Sequence, residues 1–193
     1  MELVFASHNK HKLQEIVQLL DHSIILRSLD DIGFFTEIEE SGNTLAENAS
    51  IKSSAIYHAT KYNCFADDTG LEVSALNDAP GVHSARYAGN EKDSKKNIDL
   101  LLHNLKDKDK RDARFVTCIS LIIHGKEAFF EGELKGEIIK ERRGTNGFGY
   151  DPVFIPEGYA KTLAELSLDE KNKISHRARA FALLRKHLED ISS

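Results

Sequence analysis

Hydrophobic residues change period along the chain. Leu3 to Ala6 form an unbroken apolar run, the mark of a buried strand, and Leu13, Ile16, Val17 and Leu20 then recur at helical spacing. Together they predict a strand–loop–helix opening. Ile24 to Leu26 predict a second strand. In "SGNTLAENASIKSSAIYHA", Thr44 is followed three residues later by Glu47, a capping box, and Leu45, Ala49, Ile56 and Ala59 fall on one side of the helix it opens. "NCFADDTGLEVSAL" reads as a short apolar strand broken by two aspartates and a glycine, with more apolar residues and an Ala79-Pro80-Gly81 turn beyond. Ile98, Leu101, Leu102 and Leu105 mark another amphipathic helix. Two β-rich runs around His124-Gly125-Lys126 predict a hairpin. A glycine-rich loop, "RRGTNGFGYDP", leads to a last helix with Ala178, Phe181, Leu184 and Leu188 facing inward. Parallel elements joined to a hairpin predict an α/β fold on a long mixed, twisted sheet flanked by helices.

Composition narrows the function classes. The 193 residues are 40% hydrophobic with a formal charge of −5, which suits a packed domain and excludes a general nucleic-acid or membrane-surface binder. Any anion site must be a local basic pocket. Cys64 and Cys118 lie in apolar runs without metal-ligand spacing and read as core residues of a reducing compartment. No signal-peptide pattern, membrane-length apolar stretch or internal repeat occurs, so a cytoplasmic protein is expected.

Four stretches carry candidate chemistry. In "VFASHNKHK", Ser7, His8, Asn9, Lys10, His11 and Lys12 crowd the start of a helix, the wrong end of the dipole for cations. They lean into water, or they share a phosphate at the carboxyl edge of the sheet. It is not a Walker loop. Asp67 and Asp68, with "EIEE" (Glu37 to Glu40), are either a turn cap or a carboxylate set that needs a compensating cation; magnesium fits the second case. In an extended chain the two aspartates point opposite ways, so one reaches a metal while the other braces. Gly144 to Pro152 allow close backbone approach and offer Phe148 and Tyr150 as flat faces for a base, or else form a plain turn with an aromatic plug. "EKNKISHRARA" sets Lys171, Lys173, His176 and Arg177 near the start of the last helix, again at the unfavourable end.

Taken together these stretches resemble the inosine triphosphate pyrophosphatase family. The resemblance spans nearly the whole chain through "ASHNKHKLQEI", "ENASIKSSA", "FADDTGLEV" with "APGVHSARYAG", "GTNGFGYDPVF" and "EKNKISHRARA", in order. It implies a single domain over residues 1–193 with two lobes and the active site in the cleft between them. It implies Mg²⁺-dependent hydrolysis of ITP, dITP and XTP to the nucleoside monophosphate and pyrophosphate, by a homodimer that binds neither nucleic acid nor membrane. Carried over by position, Ser7, Asn9, Lys12 and Lys52 bind phosphates, with His8, Lys10 and His11 among the substrate-binding residues, and Asp68 is the catalytic acidic residue and metal ligand, with Glu39 as its companion on magnesium. Thr69 touches substrate; Phe148, Gly149, Tyr150 and Asp151 enclose the base; Lys171, His176 and Arg177 complete its pocket. Ser7 and His8 depart from the family's Thr-Gly, and Asn146 stands where Gly is common.

The chemistry of these residue types is consistent with that assignment. A triphosphate brings about four negative charges, which Mg²⁺ and lysines must offset beside two carboxylates. Arg177 only donates hydrogen bonds, so it would accept a 6-keto purine and meet adenine's amino group badly. The rival readings are a septum-formation-inhibitor-type pyrophosphatase, which would lack the Ser-His-Arg ending, and a nucleotide sensor, which would bind without turnover.

Overall fold

Leu3 to Ala6 are almost completely shielded from solvent on both sides, and the reason is the sheet they enter. In the computed structural model, which describes residues 1–20 and 24–192, β1 (Glu2–Phe5) runs parallel to β2 (Ile25–Arg27) and to β3 (Cys64–Val73). The helices α1 (Lys10–Leu19) and α2 (Leu45–Thr60) make the two connections, as parallel pairing requires. β4 (Pro80–Gly81) pairs antiparallel with β3. After α3 (Ser94–Asn104) come β5 (Asp112–Ile123), β6 (Lys126–Ile138) and β7 (Phe154–Pro156), and then α4 (Leu168–Ile174) and α5 (His176–Ser192). The sheet order is β2-β1-β3-β5-β6-β7, with β4 on β3, and β7 pairs antiparallel with β6. The fold is therefore α/β on a mixed sheet.

Contacts divide the chain into two units. The first comprises residues 1–68, 117–132 and 177–193, the second 69–116 and 133–176. In the first, strand alternation sends Leu3 and Phe5 into one cluster with Ile16, Phe65, Phe181 and Leu184, and Val4 and Ala6 into another with Leu29, Ile56 and Cys64. Both faces of β1 are covered, which is why its sequence is continuously apolar. The rings of Phe5 and Phe65 stack at 5.0 Å, and Phe65 meets Phe181 at 5.9 Å. The second unit packs Leu71, Ile98, Leu101, Leu105, Phe115 and Phe154 around its own centre.

Several local expectations need correction. The strand at the aspartates is not broken: β3 runs through Asp67, Asp68 and Gly70 without interruption. Val17, placed on the inner face of α1 by its spacing, is 55% exposed, and Ala59 faces out from α2. Thr44 caps α2 by accepting from Glu47 N at 3.1 Å, but the Glu47 carboxylate reaches back to Asn43 N at 2.6 Å. Lys171 and Lys173 belong to the last turn of a separate short helix, α4, capped by Ser167 and Glu170, so they sit at the end that suits cations. The predicted hairpin is present, with His124 and Gly125 both at positive φ between β5 and β6. Both cysteines are free and buried; burial pushes the Cys64 thiol up to about 12 and the Cys118 thiol to about 11, so neither is a reactive thiolate near neutral pH. Among the described residues, no helix is long and apolar enough to cross a membrane.

The Phe5–Phe65–Phe181 chain gives the first testable consequence. Phe65→Ala should cost about 3–5 kcal/mol of unfolding free energy in urea titrations, from lost burial and the cavity left behind; a loss under about 1 kcal/mol contradicts this packing.

Candidate active site

Asp67 is completely buried in the middle of β3, and its charge is met from three sides. Its carboxylate Oδ2 accepts from Arg177 Nε at 3.1 Å and lies 3.1 Å from Lys12 Nζ. Its main-chain carbonyl accepts from Lys52 Nζ at 2.8 Å and from Lys12 Nζ at 3.3 Å. Burial by itself would raise the pKa of such a carboxyl, but Lys12, Arg177 and Lys52 outweigh it and hold the group well below the usual carboxylate range. Arg177, 1% exposed, also donates from Nη1 to Glu15, a buried carboxylate on α1 one turn beyond Lys12. For Lys12 the balance goes the other way: burial, with Lys52 and Arg177 nearby, outweighs Asp67 and lowers its pKa.

Asp68 points to the other side of the strand, as alternation demands. Its Oδ2 accepts from Asn48 Nδ2 at 3.1 Å, and its Oδ1 lies 3.7 Å from Lys52 Nζ. Burial comes first among the influences and Glu40 adds to it, so the Asp68 pKa is raised despite Lys52 and Lys12. Lys52 also donates to Glu40 Oε1 at 2.6 Å; its own burial would lower its pKa, but Asp68, Glu40 and Asp67 together raise it. The helix α2 supplies these groups by spacing: Asn48 and Lys52 are one turn apart on the side that also buries Ala49 and Ile56.

The opening loop is organised by its own side chains. Asn9 is the N-cap of α1, its Oδ1 accepting from His11 N at 3.0 Å and Lys12 N at 3.2 Å, and Ser7 Oγ accepts from Asn9 N at 3.2 Å. Two of the helix's first N–H groups are thus already satisfied within the chain. His8, Lys10 and His11 are exposed, with His8 Nε2 3.5 Å from the Thr36 carbonyl. Lys12 alone of the set turns inward, to Asp67.

The second unit carries its own polar cluster. Asp151 Oδ2 accepts from Lys171 Nζ at 2.6 Å and from Phe148 N at 2.9 Å, and Lys171 Nζ lies 5.0 Å from the centre of the Phe148 ring. Two glycines are required by this turn. A Cβ on Gly147, at φ +72°, would lie 2.0 Å from Asp151 Oδ2, and one on Gly144 would lie 2.3 Å from the Ala164 backbone. Tyr150 is a buried plug whose hydroxyl donates to the Ser84 carbonyl at 2.9 Å. His176 is buried with its ring stacked on Phe115 at 4.7 Å. Phe148, Gly149 and Thr69 are half-buried.

Compared with the sequence-based expectations, the first unit brings Lys12, Lys52, Asp68 and Arg177 around Asp67, and the second brings Phe148, Asp151 and Lys171 together. Glu39 is exposed; the acidic residue that reaches Lys52 is its neighbour Glu40. Arg177, expected to read the base, has donors committed to Asp67 and Glu15. Tyr150 and His176, also expected at the base, are buried, the Tyr150 hydroxyl on the Ser84 carbonyl and the His176 ring against Phe115. Glu15 and Asn48 were not singled out in the sequence, and Glu40 entered only as part of the Glu37–Glu40 run. Asn48 left a signal, as a polar residue beside the apolar stripe of α2; Glu15 lies off the apolar stripe of α1 and left none.

Three comparisons bear on this arrangement. The Ham1 family model matches residues 3–187. The dITP/XTP pyrophosphatase of Christiangramia forsetii is 52% identical over 188 residues, covering 97% of this chain and 99% of that protein. That of Flavobacterium psychrophilum is 51% identical over 180 residues, covering 93% and 95%. The solved structure of a HAM1 protein from Coxiella burnetii superposes with a TM-score of 0.90 at 40% identity, covering 98% of this chain and 99% of that one. With a family model matched across almost its whole length and relatives of this identity, the chain belongs to the Ham1 family.

Proposed function

We propose that this protein hydrolyses the deaminated purine nucleoside triphosphates ITP, dITP and XTP to the nucleoside monophosphate and pyrophosphate, in the cytoplasmic nucleotide pool. The observation that carries this reading is the set of three buried cations, Lys12, Lys52 and Arg177, assembled on Asp67 beside a second carboxylate, Asp68, whose pKa is raised. The names borne by relatives near 50% identity supply the substrate class.

Asp68 and Glu40 offer hard oxygen donors beside the same lysine, the chemistry Mg²⁺ favours. Mg²⁺ takes one or two carboxylates and completes its shell with substrate phosphate and water. When bound, Mg²⁺ would neutralise phosphate charge and polarise the phosphoryl group. Asp68 takes a proton from the attacking water. The new bond forms between that water's oxygen and the α-phosphorus, and the α–β anhydride bond breaks. Lys12 and Lys52 offset the charge on the departing pyrophosphate.

Base recognition falls to Phe148 and Lys171 in this reading. Phe148 offers a ring for stacking, and the Lys171 ammonium, held by Asp151, only donates hydrogen bonds, so it accepts a 6-keto group and opposes adenine's 6-amino group. Arg177 takes a different part from the one its residue type suggested: it braces Asp67. A homodimer is included on the strength of the family resemblance; light scattering at the mass of a single chain would remove it.

A pyrophosphate-release assay with Mg²⁺ across ITP, XTP, GTP, ATP and dUTP tests the function. ITP and XTP should be turned over at least about 100-fold more efficiently than ATP, and Asp68→Asn should abolish turnover while nucleotide binding persists; equal efficiency on ATP and ITP contradicts the reading. Arg177→Met, which strands Asp67 and Glu15, should cost about 3–5 kcal/mol of stability in denaturant, where a base reader on the surface would cost almost none. Because the folded pKa of Asp67 lies below its unfolded value, its contribution is present above about pH 4 and is lost as pH falls through the folded value. Acid titration of stability should show that loss, and Asp67→Asn should flatten it.

A further inference from the structure

We propose that Asn48 is a positioning residue for the reaction, holding the Asp68 carboxylate in register with the acidic loop that precedes α2; the inference rests on the reading of Asp68 given above. Asn48 is wholly buried. Its amide nitrogen donates to Asp68 Oδ2 at 3.1 Å, and its amide oxygen accepts from Gly42 N at 2.8 Å. The Gly42 N–H can only donate, which fixes which end of the amide faces which partner. One side chain therefore spans from β3 to the loop carrying Glu40.

Lys52, one turn later on the same face, makes a parallel span, with Glu40 Oε1 at 2.6 Å and Asp68 Oδ1 at 3.7 Å. The charged bridge and the neutral one join the same two segments, and they divide the labour. Lys52 supplies attraction, while Asn48 supplies direction: by engaging Oδ2 it sets the plane of the Asp68 carboxylate and turns Oδ1 toward Lys52 and Glu40. An amide suits this place because it donates at one end and accepts at the other. A carboxylate there would face Asp68 as a like charge, and an aliphatic side chain would leave both partners unmet.

Gly42 shows that the close approach is built in. A Cβ at that position would lie 2.7 Å from Glu47 Cβ and 2.8 Å from Asn48 Oδ1. The loop thus runs against the first turn of α2 at a distance only glycine permits, and Asn48 secures it there. Were Asn48 merely filling the core, its replacement would lower stability and leave metal affinity and the chemical step untouched. As a residue standing behind a metal-binding carboxylate, its replacement should instead cost about 10–100-fold in metal affinity or activity.

The test uses the intact chain as wild type, Asn48→Leu, Asn48→Asp and Asp68→Asn. Three quantities are measured: Tm, the affinity of the nucleotide-free protein for Mn²⁺ (read from the free-ion EPR signal), and kcat and KM for ITP with Mg²⁺. For both Asn48 variants, Mn²⁺ affinity and kcat should each fall about tenfold or more, with KM for ITP within about twofold of wild type. If Asn48→Leu fails to fold, Asn48→Asp decides, since it still accepts from Gly42 N while the donor to Asp68 is replaced by a like charge that turns the Asp68 carboxylate away. A folded Asn48 variant with wild-type Mn²⁺ affinity and kcat, beside an inactive Asp68→Asn, overturns the inference alone. Full turnover by Asp68→Asn overturns the reading of Asp68 and the inference with it.

Discussion

Two carboxylates in succession on a buried strand are the constraint from which the rest of the first unit follows. Asp67 and Asp68 lose their hydration when β3 enters the sheet, and neither could remain ionised there without compensation. The compensation comes from elements far apart in sequence: Lys12 on α1, Lys52 on α2 and Arg177 at the start of α5. Because strand geometry sends the two aspartates to opposite sides, the roles separate. Asp67 is saturated by cations and stays charged, while Asp68, facing Asn48, Lys52 and the influence of Glu40, has its pKa raised. In the proposed function, one member of the pair organises and the other carries the reactivity.

In the proposed function, the charge on this assembly calls for a divalent ion. Asp67, Asp68, Glu15 and Glu40 face Lys12, Lys52 and Arg177, so with all seven groups ionised the cluster carries one more negative charge than positive. Bringing a triphosphate of about four negative charges to such a place is unfavourable until a small, hard cation joins it. The exposed Lys10 at the start of α1 adds positive charge without burial. Only Lys12 carries its charge inside.

The fold was largely legible because its signals are periodic. The switch from the apolar run of β1 to the spacing of α1, the Thr44 cap and the His124-Gly125 turn each state a local rule that tertiary packing obeys. The continuity of β3 was hidden, since two aspartates and a glycine look like a break until their partners are known. The candidate site was legible by residue type and poorly by role. Lys12, read from its charge, and Lys52, named from the family resemblance, both reach the aspartate pair. That Arg177, Tyr150 and His176 are buried against protein partners was not legible, because a donor or an aromatic ring in a sequence does not show what it packs against. Glu40 rather than Glu39 reaches Lys52, a choice fixed by loop conformation, which hydrophobic periodicity does not encode. Asn48 could have been suspected as a polar residue beside the apolar stripe of a helix, whereas Glu15 could not, because the buried side of α1 is not the side its apolar spacing marks.

In the proposed function, this buried, net-negative cluster accepts a polyphosphate only together with a divalent cation. Calorimetric titration of a non-hydrolysable ITP analogue into the protein, with Mg²⁺ and then with chelator in its place, addresses it directly. The account predicts binding at least about 100-fold weaker without the ion, a difference of about 2.7 kcal/mol. Equal affinity under the two conditions would contradict it.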